Sequence, residues 1–273
     1  MNWEVSIQRL STSRRVRRVY SALCRVPKIG RFLRRFVHGV LPTEMRVWSR
    51  ISAGPAKGLW IRLDPRFEMD YVSGVYEEAV ERTLSLSLQP GSVFYDVGAH
   101  IGVLSLVAAR LVGARGKVFA FEADPANATR IEEHVRRNGF EQIHILPCAV
   151  WSSGAHLRFE RASAQSSLNQ GAVATGQVKT ANTLDVQAIA IDEFARGHAP
   201  PDLIKIDVEG AEAAVLRGSE QIFATKKPLL ICEVHHEESS REVSRWLLDR
   251  NYSFEWLVDS PDFPRHLLAR WRE

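Results

Sequence analysis

From residue 93 onward the chain alternates short apolar runs with amphipathic stretches of helical length, and this alternation restricts the fold more than any other feature. Val93–Asp96, Lys117–Glu122, Ile143–Val150, Val186–Ile191, Leu203–Asp207, Pro228–Val234 and Tyr252–Leu257 read as strands. Ile101–Leu111, Pro125–Asn138, Ala211–Gly218 and Glu238–Arg250 read as helices. Strands that alternate with helices pack as an open, mostly parallel sheet covered on both faces, an α/β doubly wound architecture. Leu203-Ile204-Lys205-Ile206 and Leu229-Leu230-Ile231-Cys232 are nearly continuous apolar runs, as strands buried on both faces require. Ahead of the alternation lie a hairpin between Met45 and Leu63 around Gly54-Pro55, and a helix from Tyr76 to Leu88 stopped by Gln89-Pro90-Gly91. The polar stretch from Arg161 to Gly176 reads as a long loop.

In such sheets ligands bind beyond the carboxyl ends of the strands. The residues that end the strands are Asp96, Glu122, Val150, Asp207 and Glu233, four of them acidic. Asp96-Val97-Gly98-Ala99-His100-Ile101-Gly102 follows one strand and opens a helix, and its glycines permit a sharp turn and close approach of a ligand. Glu122 comes 20 residues after Gly102, where a carboxylate accepts hydrogen bonds from both hydroxyls of a ribose. An adenosine-type ligand is implied. A dinucleotide fingerprint would put glycine where Asp96 stands, with a pyrophosphate at the helix N-terminus. A carboxylate repels a pyrophosphate but suits a sulfonium or an α-amino group, which favours S-adenosylmethionine over NAD. An NAD(P)-dependent oxidoreductase stays as the alternative enzyme.

Gly74-Val75-Tyr76-Glu77, the Asp96–Gly102 loop, Phe121-Glu122, Ile191-Asp192, Ile204-Lys-Ile-Asp-Val-Glu-Gly-Ala-Glu212, Leu216-Arg-Gly218 and Glu233-Val-His235 occur in that order. In these pieces, spanning about residues 56–257, the chain resembles the FkbM-type S-adenosylmethionine-dependent methyltransferases. The resemblance implies a class I methyltransferase (Rossmann-like) fold and O-methylation of a hydroxyl on a sugar, a lipid-linked glycan or a secondary metabolite. It places Asp96, Gly98, Ala99 and Gly102 at the methionine part of the cofactor, Glu122 and Ala123 at the ribose, and the backbone of Ala149 and Val150 at the adenine. Asp207 would also face the cofactor. One departure is Glu122-Ala123-Asp124-Pro125, where family members often have proline directly after the acid.

Methyl transfer to oxygen is an in-line displacement that depends on alignment, and a base helps by taking the hydroxyl proton. His235 and Asp207 are the candidate bases, with His235 favoured because imidazole titrates near neutrality, and Glu209 is a further catalytic candidate. A solvated loop histidine is the simpler role for His235, which His236 follows. Glu212, at the start of a helix, would complement the helix dipole. Asp207, Glu233 and His235 together form a candidate site for a divalent metal ion. Tyr76 and Glu77, with the loop Ser163–Gly176, are expected to shape the pocket for a small-molecule or glycan acceptor.

The formal net charge of +4 is unevenly spread: residues 1–50 carry 12 Lys and Arg against Glu4 and Glu44, leaving the rest net acidic. Ile29, Phe32, Leu33, Phe36 and Val37 follow helical spacing opposite Arg31, Arg34, Arg35 and His38. Residues 14–38 thus fit an amphipathic arm against the body, a second subunit or an anionic membrane surface, with nucleic acid or organellar targeting as further options. A non-catalytic scaffold targeted by this arm is the reading outside enzymology. The acidic body, without interleaved aromatic and basic residues, argues against a nucleic-acid substrate. Cys24, Cys148 and Cys232 lack metal-type spacing and suggest reduced, buried thiols, hence a cytoplasmic chain with peripheral membrane contact as an option. The expected division is a basic arm over 1–44 and a methyltransferase domain over 45–273.

Overall fold

Seven strands form the central sheet of this computed structural model, which describes residues 45–73, 76–160, 172–173 and 183–273. The basic arm, Cys24, Gly74-Val75 and most of the expected long loop lie outside the described residues. The chain divides into two units, residues 1–78 and 79–273. In the first, β1 (Val47–Arg50) pairs antiparallel with β2 (Trp60–Leu63), Val47 opposite Leu63, as the expected hairpin. A short helix α1 (Asp70–Ser73) follows, held to the hairpin loop by hydrogen bonds from the Ser52 N–H and hydroxyl to the Val72 carbonyl, both 2.9 Å. Helix α2 (Glu78–Ser87) leads into the second unit.

There the alternation unfolds as β3 (Val93–Val97), α3 (Val103–Val112), β4 (Lys117–Phe121), α4 (Pro125–Asn138) and β5 (Ile143–Leu146). Asp124 explains the departure before Pro125: its Oδ1 accepts the Ala126 N–H at 2.8 Å, capping α4, while Pro125 occupies a first-turn position that needs no N–H donor. Gly139 closes α4 in the left-handed conformation (φ 70°). The expected strand 143–150 is in fact two. Pro147 offers no N–H to continue the ladder, so the chain leaves the main sheet after Leu146 and resumes as β6 (Ala149–Val150) in a second sheet.

That second sheet has the order β6-β9-β7-β8, with β7 at Ala155–Glu160, β8 at Ala172–Val173 and β9 at Thr183–Ile189. β7 was not anticipated, although Ala155, Leu157 and Phe159 alternate with His156, Arg158 and Glu160. A short helix α5 (Ile191–Ala195) begins where strand had been expected to end, and Asp192 accepts the N–H groups of Gln221 and Ile222 at 2.9 Å each. These bonds cap a second helix that the sequence reading missed. The chain continues through β10 (Leu203–Ile206), α6 (Glu212–Arg217), α7 (Glu220–Thr225), β11 (Leu229–Val234), α8 (Glu237–Asp249), β12 (Tyr252–Trp256) and β13 (Arg265–Trp271).

The main sheet runs β12-β13-β11-β10-β3-β4-β5. β13 corrects the expectation that the strand at 252–257 is the last: it inserts between β12 and β11, antiparallel to both. Its signal is the short buried run Leu267-Leu268-Ala269 between charged residues. The core beneath the site is aromatic. Tyr95, Phe119, Phe121 and Phe194 meet edge-on or tilted at centroid distances of 5.0–5.7 Å, and the Tyr95 hydroxyl donates to the Ala199 carbonyl at 2.8 Å. Among the described residues no helix is long and apolar enough to cross a membrane. Leu267 is fully buried between Cys232 and Trp256 of the flanking strands. Leu267→Ala should therefore cost ~2–5 kcal/mol in urea denaturation, whereas an exposed C-terminal strand would register almost nothing.

Candidate active site

The strand-ending residues converge because adjacent parallel strands are in register. Lys205 of β10 lies opposite Asp96 of β3, so the two chain segments after these strands leave the sheet side by side. The turn after β3 is stitched to β4 by the Gly98 and Ala99 N–H groups, both donating to the Phe121 carbonyl at 3.0 Å. Gly98 has φ +77°, and a Cβ there would stand 1.8 Å from the Asp207 carbonyl oxygen. Glycine is required at this position by the neighbouring backbone as much as by any ligand.

Lys205 is the buried cation of the site, although the sequence reading gave it no role. Its Nζ donates to the Gly98 carbonyl at 3.0 Å and to Asp207 Oδ2 at 3.1 Å, and lies 3.7 Å from Asp96 Oδ1. Asp96 is fully buried and its Oδ2 accepts from the Ser105 hydroxyl at 2.5 Å. The signal for Lys205 was present: a lysine inside a run buried on both faces needs a carboxylate partner, and Asp96 and Asp207 were the nearby candidates.

A cleft opens beside this ridge, lined by apolar side chains with a few convergent polar groups, as small-molecule sites are. Of the expected cofactor residues, Gly98, Glu122, Ala123, Ala149, Val150 and Asp207 line it. Asp96 stands behind the wall, and Gly102 caps α3 with φ +82°. Glu209 also lines the cleft, and His100, Asn127, Cys148 and Phe159 are wall residues that the sequence reading did not single out. Glu122 is held by two backbone donors, His100 N–H at 2.7 Å and Asp124 N–H at 2.8 Å. Burial outweighs them and pushes its carboxyl up to about 8. Cys148 is half-buried with its thiol pushed up to about 11 by burial, and Cys232 is fully buried and further raised; both are free, as expected.

Next to the cleft, His235 sits in a ring of carboxylates. Nδ1 lies 2.8 Å from Glu212 Oε1; Nε2 lies 3.2 Å from Glu209, 3.5 Å from Asp207 Oδ1 and 3.9 Å from Glu233. Its side chain is 13% exposed, which corrects the solvated-loop alternative. His236, the neighbour, caps α8 by accepting the Ser239 N–H at 3.0 Å. Glu212 is a second correction. It is fully buried and accepts from the Ser239 hydroxyl at 2.5 Å and the Gly210 N–H at 2.8 Å, so it anchors His235 instead of facing solvent at a helix end. Glu209 adopts φ +51° in the turn before Gly210.

The electrostatics follow from this crowding. Burial opposes ionisation of Asp207, but Lys205, a hydrogen bond from Glu233 and His235 together hold it below the usual carboxylate range. Burial likewise opposes Glu212, and its bonds from His235, Ser239 and Gly210 prevail and keep it low. Glu209 is pushed up, mainly by burial. His235 is raised despite burial, by Glu212 first and then by Asp207 and Glu209. Tyr76 and Glu77, expected to face the acceptor, belong to the first unit; the Tyr76 ring packs edge-on to Tyr71 at 4.4 Å.

The model of the methyltransferase FkbM domain matches residues 96–254, more than half of the chain. The chain belongs to the FkbM methyltransferase family. It is accordingly a methyltransferase that uses S-adenosylmethionine, and the nicotinamide and scaffold alternatives give way. Among curated proteins it is 27% identical over 209 residues to the hexuronic acid methyltransferase AglP of Haloferax volcanii, covering 76% of this chain and 79% of that one. It is also 33% identical over 103 residues to a ribosomal protein L11 methyltransferase of Bacillus cereus, covering 37% of this chain and 32% of that one. Among solved structures, methyltransferase FkbM from Methylobacillus flagellatus shares the fold with a TM-score of 0.51 at 16% identity. That alignment covers 76% of this chain and 53% of the other, so the chain spans about half the length of that structure.

The lining of the cleft fits the chemistry of the cofactor: it includes a buried acid, Glu122, and the apolar residues Ala149, Val150 and Phe159. Two outcomes follow. Because the folded value of Glu122 lies above its ordinary 4.5, the ligand-free protein loses stability as pH rises from about 4.5 to about 8. A ligand whose hydroxyls donate to the ionised form binds more tightly across the same window. Calorimetric affinity for S-adenosylhomocysteine should rise between pH 6 and 8, at most ~10-fold per unit, and Glu122→Gln should flatten the slope. Lys205→Met should strand Asp96 and Asp207 without their cation and cost ~3–5 kcal/mol in denaturation.

Proposed function

We propose that this methyltransferase moves a methyl group to a hydroxyl oxygen of a sugar, with a hexuronic acid in a glycan as the first acceptor class to test. The observation that carries the reading is the adjacency of the cofactor cleft and the His235 cluster: Asp207 and Glu209 line the former and touch the latter. The relative described as a hexuronic acid methyltransferase, matched over most of both chains, supports the acceptor class.

S-adenosylmethionine, when bound, supplies an electrophilic methyl group on sulfur. The protein's part is to align the acceptor and to receive its proton. Asp207 is suited to the second task, because Lys205 and His235 keep it ionised and it reaches the cleft wall. His235 stands one layer back. The surrounding carboxylates favour its protonated form, in which it supports Asp207 electrostatically; when neutral, it can itself accept a proton through Nε2. Glu212 fixes the ring by its bond to Nδ1. The backbone of Gly98 and the carboxyl of Glu122 would hold the cofactor, with Ala149 and Val150 beside the adenine.

The test is an acceptor screen with radiolabelled S-adenosylmethionine and uronic-acid-containing oligosaccharides. Transfer should yield a methyl ether that survives mild alkali; release of methanol under alkali would show carboxyl methylation and overturn the hydroxyl reading. Asp207→Asn should lower kcat by ~10²–10⁴-fold in protein shown to be folded by circular dichroism.

A further inference from the structure

We propose that Asp207, Glu233 and His235, with Glu209 as a fourth donor, form a binding site for a divalent metal ion at the edge of the cleft. The inference rests on the same cluster as the proposed function, and it concerns what balances the charge of that cluster and touches the acceptor. The ligand atoms of Asp207, Glu233 and His235 all lie within 4.8 Å of one another, close enough to share one ion. Two carboxyls placed this close repel one another when both are ionised, and a shared cation relieves that repulsion.

The orientation of His235 is a separate observation. Glu212 accepts at both oxygens, from Ser239 and Gly210 as well as at His235 Nδ1, and as an acceptor it assigns the ring proton to Nδ1. Nε2 is thereby turned toward three carboxylates. Two of the separations, 3.5 Å to Asp207 and 3.9 Å to Glu233, are too long for good hydrogen bonds, so these groups surround a point more than they bond to one another. A carboxylate behind a histidine is the arrangement that orients and strengthens imidazole as a metal ligand.

Asp207 supplies a third observation. Its side chain is 8% exposed; Oδ2 is engaged by Lys205, while the buried Oδ1 faces the cluster with no hydrogen-bond partner. Lys205 does not neutralise the ring of acids, because its ammonium also serves Asp96 and the Gly98 carbonyl. His266, 3.7 Å from Glu233 on the far side, borders the site. Carboxylate oxygens with a single imidazole suit Mn²⁺ or Mg²⁺ better than thiolate-preferring ions. An ion there would balance the charge of the acids, and would polarise an acceptor hydroxyl reaching in past Glu209.

The experiment is titration of the chelator-treated full-length protein with MnCl₂, followed by calorimetry and by electron paramagnetic resonance of free Mn²⁺. One equivalent should bind with Kd below ~1 mM, and Asp207→Asn and Glu233→Gln should each weaken it at least ~10-fold. Pulsed resonance of the wild-type complex should show coupling to one imidazole nitrogen, a readout that needs no variant to fold. Absence of saturable binding in folded protein, binding that both substitutions leave unchanged, or a bound ion without nitrogen coupling would each overturn the site. Binding is measured without acceptor or methyl donor, so its failure leaves the acceptor screen standing, and a failed screen leaves it intact.

Discussion

The site depends on a single buried ammonium. Lys205 occupies a position in the central sheet where an apolar residue would otherwise stand, and three partners offset the cost of taking its charge out of water: Asp96, Asp207 and the Gly98 carbonyl. Those partners come from both halves of the site, the glycine turn after β3 and the acidic turn after β10. A lysine at this place therefore performs structurally what sequence motifs describe separately. It fixes the distance between the turn after β3 and the turn after β10.

Around that anchor the protein sorts its acids by environment. Glu122 is buried, accepts hydrogen bonds from two backbone N–H groups, and is pushed toward protonation chiefly by burial. Asp207 and Glu212 are buried as well, yet cations and hydrogen bonds keep them ionised. Carboxyls of ordinary intrinsic acidity thus acquire different states within one sheet edge. What separates Glu122 from Asp207 is environment and not residue type.

Much of this was legible in the sequence. The strand and helix alternation specified the sheet, because continuous apolar runs of strand length followed by amphipathic helices have few other ways to bury themselves. Asp96-Val-Gly, Glu122 and the Asp207–Glu212 string marked segments that the fold brings to one cleft. What escaped was of two kinds. Short elements such as α7, β7 and β13 rest on tertiary partners: Asp192 caps α7 from the first turn of α5, and β13 pairs with both β11 and β12. The other kind was direction. Nothing local shows that Glu212 turns inward to Ser239 and His235, since the same spacing at a helix start equally serves the dipole in solvent.

The Gly98 approach to Asp207 has a further consequence for variation in this chain. With the Asp207 carbonyl where the glycine's Cβ would be, neither turn can be exchanged for a loop of different shape while the other stays fixed. A substitution scan would find position 98 intolerant for a reason that lies in the backbone of the other turn, whatever side chain position 207 carries.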